Sequence, residues 1–99
     1  MNGSRNRLKD RRSHELYRFE CDGQVYTGGI GRFEDGRIAE VFINGAKVGT
    51  AAETNAQDAA IVTSLALQHG CPIQTIRHAL ARSGGATGPV ATLLSSIDS

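Results

Sequence analysis

Ninety-nine residues with a hydrophobic fraction of 39%, a charged fraction of 21% and a net charge of +1 describe one small globular domain and exclude a multidomain machine. No apolar run approaches the ~20 residues of a membrane helix, and no apolar segment follows the basic N-terminus as a secretory leader requires. Cys21 and Cys71 are the only cysteines and lack metal-type spacing, so a cytoplasmic protein with two reduced thiols and no membrane contact is expected.

The small net charge conceals an asymmetry. Residues 1–12 hold Arg5, Arg7, Lys9, Arg11 and Arg12 against Asp10, whereas the remainder holds six basic and nine acidic side chains. Residues 1–13 therefore read as a basic, flexible arm, and 14–99 as a single domain. An arm of this kind suits an acidic partner or nucleic acid through residues 5–12. The folded part lacks the interleaved basic and aromatic residues of a nucleic-acid module.

From His14 the pattern alternates. Tyr17, Phe19 and Cys21 share one face of a strand; Leu16, Arg18 and Glu20 share the other. Asp22-Gly23 signals a two-residue hairpin turn, with Gln24 to Phe33 as the returning strand. Gly28, Gly29 and Gly31 interrupt that strand and mark a bulge, a bend or a close approach. Glu34-Asp35-Gly36 is the next turn. In the third strand, Ile38, Glu40 and Phe42 share one face, while Ala39, Val41 and Ile43 share the other. Asn44-Gly45 has the composition of a type I′ turn, with a short fourth strand at 46–48.

Two capping boxes compete for the start of the long helix, Thr50 with Glu53 and Thr54 with Gln57. The apolar pattern that follows favours Thr54. Ile61 with Leu65, and Val62 with Ala66, are four-residue pairs on a helix apolar nearly all round. Such a helix is expected to pack on the sheet with one face and on a second helix or a second subunit with the other. Gly70 ends it, and Pro72 opens a second helix striped by Ile73, Ile76 and Leu80. The segment 83–88 leads to a last short helix from Pro89, with Val90, Leu93, Leu94 and Ile97 at helical spacing.

Little in this order carries chemistry. Thr27-Gly28-Gly29-Ile30-Gly31 lacks the spacing and the following helix of a phosphate loop, so it reads as a strand bulge. Segment 83–88 lacks Gly-Lys-Ser/Thr and reads as a linker, although its position before a helix is one that binds anions. His69, Cys71 and His78 need a fourth ligand, Cys21 or His14, to close a metal tetrahedron; no metal site is expected. Cys71 at a helix start gains thiolate character from the dipole, and otherwise is a structural thiol. Glu40 is the one acid set among core-type residues, with Arg32 as its expected neutralising partner. No catalytic constellation emerges.

The run Glu40-Val41-Phe42-Ile43-Asn44-Gly45-Ala46-Lys47-Val48-Gly49-Thr50 resembles the strand-turn-helix signature of the TSCPD domain. The similarity continues through Ala59 to Ile73, then Ile76 and Leu80. TSCPD domains occur near the C-terminus of adenosylcobalamin-dependent (class II) ribonucleotide reductases and as free-standing short proteins. The resemblance implies deoxynucleotide synthesis as the setting, and a class II reductase catalytic chain as partner. It carries Asn44, Gly45 and Gly49 over as turn positions and Lys47 as a surface or partner contact; with Glu40, which turn geometry leaves over, Asn44, Lys47 and Gly49 are the expected ligand- or partner-contact positions. Adenosylcobalamin belongs to the full-length reductases, and none is expected on this chain alone. Reductase chemistry needs a radical cysteine, redox pairs and a barrel, which 99 residues with two isolated cysteines do not supply.

The resulting expectation is an α+β fold: a three-stranded antiparallel β-meander, Leu16 to Ile43, followed by two or three helices packed on one face. The long helix spans Thr54–His69 and the second Pro72–Arg82. The function expected is that of an accessory module acting by protein contact, with a homodimer covering the second face of the long helix. A small nucleotide- or nucleic-acid-binding protein using the basic arm is the alternative.

Overall fold

The computed structural model describes residues 14–45, 49–81 and 88–97. Three antiparallel strands, β1 (His14–Cys21), β2 (Gln24–Arg32) and β3 (Ile38–Asn44), form one open sheet in sequence order. Three helices follow: α1 (Ala51–Gln68), α2 (Ile73–Leu80) and α3 (Pro89–Ser95). The α+β meander expected from the sequence is the fold. The basic arm, the fourth strand at 46–48 and most of the linker at 83–88 lie outside the described residues.

Asp22 and Gly23 take φ angles of 52° and 76°, the left-handed pair that a type I′ turn demands. They set Phe19 opposite Tyr26, whose rings stack at 5.5 Å. The same register aligns Tyr17, Gly28 and Ile43 across the three strands, and Leu16, Gly29 and Phe42 in the next row. One face of the sheet is thus Phe19, Tyr26, Ile30, Val41 and Ile43, all buried. Helix α3 lies against it, contributing Val90, Leu93 and Leu94 to the core, with Ile97 just beyond its end. The glycines of β2 serve this packing. A Cβ on Gly28 would stand 2.9 Å from a Leu93 methyl and 3.0 Å from the Phe19 ring. The register shift between Gly31 and Arg32 is the bulge that the glycine-rich run announces.

Helix α1 departs from expectation at both its start and its faces. Its N-cap is Thr50, not Thr54: the Thr50 hydroxyl accepts the Glu53 N–H at 3.2 Å. The carboxylate of Glu53 accepts the N–H groups of Gly49 and Gly45, at 2.9 and 3.2 Å. That clamp replaces the Asn44-Gly45 turn, and neither residue has a positive φ. Gly45 is instead required by contact, since a Cβ there would lie 2.7 Å from the Glu53 Cβ.

The buried stripe of α1 is Ala56, Ala60, Thr63 and Leu67 with Gln68, while Ile61, Val62 and Leu65 are exposed. Small residues face inward because α1 runs along the free edge of β3 and bonds its backbone. The Ser64 hydroxyl accepts from Val41 N–H at 2.9 Å and donates to Val41 C=O at 2.8 Å. Gln68 Nε2 donates to Ala39 C=O at 3.1 Å. A large side chain at Ala56 or Ala60 would hold the helix away from the strand.

Gly70, at φ 96°, ends α1 as expected, and Pro72 is the N-cap of α2, one position earlier than the N1 site anticipated for it. Ile73, Ile76 and Leu80 lean on the core without full burial. Arg77 of α2 donates to the carbonyls of Leu94 and Ile97, at 2.9 and 3.2 Å. It thereby satisfies the C-terminal end of α3, where carbonyls lack intrahelical partners.

Candidate functional site

The four motif positions do not converge on one site. Glu40 is half-buried on the open sheet face, above Gly31, where a Cβ would meet its Oε2 at 2.8 Å. Asn44 ends the same strand, exposed, four residues or about 14 Å further along. Gly49 lies at the entry to α1, its N–H on Glu53. Lys47 lies outside the described residues.

Glu40 has a different partner from the one its sequence neighbourhood suggested. Its Oε2 is 2.8 Å from His14 Nε2, and the His14 ring meets Phe42 edge-on at 5.2 Å between centroids. Arg32, the expected partner, donates from Nε to Glu15 at 2.7 Å and from Nη1 to the Gly36 carbonyl at 2.8 Å. The open face therefore presents an imidazole–carboxylate pair beside an aromatic ring, with Leu16, 68% exposed, in the row of Phe42. Sequence reading missed His14 and Leu16 as neighbours of Glu40 and Phe42. The signal exists only once the register across both ladders is known.

The Glu15 carboxyl is held below the usual glutamate range, first by the Arg32 hydrogen bond and then by that of Tyr17. A depressed native value contributes stability that is present above the unfolded value, 4.5, and is lost as pH falls through the native one. A carboxyl NMR titration should place Glu15 below the ordinary glutamate value, and Arg32→Gln should raise it toward that value, the Tyr17 hydrogen bond keeping part of the shift. An unchanged midpoint in that variant would contradict the assignment.

A cleft of about 560 Å³ opens between the β2–β3 turn and the α1–α2 turn, lined by Phe33, Arg37, Ile38, Leu67, Cys71 and Gln74 among others. Arg37 lies over the Phe33 ring at 4.9 Å and bonds Asp35 through Nε at 2.7 Å, so its charge is partly matched. Cys71 is half-buried, with Sγ 3.7 Å from the Pro72 carbonyl, and Cys21 is buried; neither is in a disulfide. His69 caps α1, and His78 is exposed on α2. Among the described residues no three His, Cys, Asp or Glu side chains form a metal-holding group.

The volume of this cleft suits a drug-sized ligand. The outer row of α1 is the other notable surface: Ile61, Val62 and Leu65 are 59%, 66% and 40% exposed. No described helix is long and apolar enough to cross a membrane.

Comparison with known proteins gives one match. The family model described as the TSCPD domain covers residues 3–98. No curated protein and no solved structure matches the chain.

Proposed function

The chain belongs to the TSCPD domain family, and from that premise we propose that it is an accessory module acting by contact with another protein. Its setting is the reduction of ribonucleotides to deoxynucleotides, and its partner an adenosylcobalamin-dependent catalytic chain. The observation that supports a contact role is the outer row of α1. Ile61, Val62 and Leu65 sit side by side on one helix surface, while Ala56, Ala60, Thr63 and Leu67 on the opposite side are buried. Burying apolar area of this kind contributes roughly 25 cal/mol per Å², and adjacent branched residues form a patch that scattered ones do not. Asn44, the last residue of β3, and Lys47, further along the same signature run, are the motif positions proposed to touch the same partner; Glu40 serves the open sheet face. No step of the chemistry is assigned to this chain.

The test uses the full chain as bait against a purified class II reductase, with reductase turnover as the second readout. Specific binding is expected, together with a change in turnover. Val62→Lys with Leu65→Lys should abolish both without altering the far-ultraviolet circular dichroism, since both residues are exposed. No binding and no effect on turnover would overturn the proposal.

A further inference from the structure

The two edges of the sheet are treated in opposite ways. At β3, the outward backbone groups of Val41 and Ala39 are taken up by Ser64 and Gln68. Because those residues point outward, the alternation of an antiparallel ladder turns Glu40 and Phe42 toward β2. It then turns Gly28 and Ile30 of β2 toward β1, where Tyr17 and Glu15 receive them. The outward groups of β1 are consequently those of His14, Leu16, Arg18 and Glu20. Among the described residues, nothing bonds the outward backbone of Leu16, Arg18 or Glu20. An eight-residue edge with a 68% exposed leucine is a template for a further strand.

We propose that β1 pairs antiparallel with β1 of a second copy, about a two-fold axis at Tyr17, to give one continuous six-stranded sheet. Charge selects both this occupant and this register. Outward groups must meet outward groups, so the axis can lie at Leu16, Tyr17 or Arg18. Centring on Arg18 sets two arginines face to face, and centring on Leu16 pairs only residues 14–18 of each strand and leaves Glu20 without a partner in β1. Centring on Tyr17 sets His14 against Glu20 and Leu16 against Arg18, with no like-charged pair. The aliphatic stem of Arg18 then covers Leu16, the most exposed of the large apolar side chains described. On the other face, Tyr17 meets Tyr17 at the axis, and Glu15 meets Phe19. This contact is separate from the outer row of α1, so the two interfaces are tested independently.

The test combines sedimentation over a wide concentration range with amide hydrogen exchange on the full chain. A dimer is expected in which the Leu16, Arg18 and Glu20 amides are protected at high concentration and exchange fast on dilution. Those of Tyr17 and Phe19, bonded to β2, stay protected in both states. Leu16→Lys places a lysine against Arg18 twice per dimer and should weaken dimerisation about tenfold. Leu16→Lys combined with Arg18→Glu sets opposite charges face to face and should restore it. A chain that stays monomeric overturns the proposal, as does a dimer whose outward β1 amides remain unprotected. So does a dimer that survives Leu16→Lys but is lost with Val62→Lys, and failure of the charge exchange to restore pairing overturns the register.

Discussion

Leu93→Ala is expected to lower stability by about 2–5 kcal/mol, a large share of the ~5–15 kcal/mol that holds a domain of this size together. Leu93 has no exposed surface and fills the space above Gly28, beside Phe19. Truncation leaves a cavity that the strand cannot close, because β2 is fixed by ladders on both sides. Gly28→Ala should cost about 1–3 kcal/mol by overpacking the same space. The two changes together should cost less than their sum, since the added methyl occupies part of what Leu93 vacates. Denaturant midpoints at constant slope give the comparison. Strict additivity would mean that the two side chains do not share that space.

Loosening of the β3 edge is the second large effect. Ser64→Ala strands the N–H and C=O of Val41, and Gln68→Leu strands the C=O of Ala39. Each unsatisfied buried group costs about 1–3 kcal/mol, with Gln68 at the upper end because it is almost wholly buried. The Val41 amide should exchange faster in Ser64→Ala by more than global destabilisation explains. If its exchange tracked global unfolding in both proteins, the serine would not be what holds it.

These contacts show where sequence reasoning reaches and where it stops. Asp22-Gly23 and Asn44-Gly45 carry the same local signal, and only the first forms the turn. Its neighbours leave it free to follow its own torsional preference, whereas Gly45 is pressed against α1 and bonded by Glu53. The choice between Thr50 and Thr54 failed for a related reason. The pattern was read from the large apolar residues after Thr54, yet the sheet is met by small ones beginning at Ala56. Hydropathy ranks Ile61 and Val62 as core, but the inward positions along most of the helix go to Ala56, Ala60 and Thr63, whose short side chains allow the close approach, and Leu67 is the one large apolar residue among them. The meander itself was legible because alternation and turns are local. The pairing of His14 with Glu40 was not, since it depends on the register of two successive ladders. The contact surfaces outside the motif were hidden for the same cause. Leu16 and Leu65 look like any core residue until the topology leaves them uncovered.

The clamp along β3 has a consequence for growth. A sheet with two bare edges can add copies without limit, the route by which soluble strands become fibres. Here Ser64 and Gln68 occupy the acceptors and the donor that an incoming strand would use on one side. In the pairing proposed above, addition takes place at β1, and the outermost strand on each side is then a clamped β3. The proposed assembly therefore stops at two by geometry, with no need for a repulsive charge or a capping partner. The helix that looks like a cover for one strand is what makes strand exchange at the other a finite process.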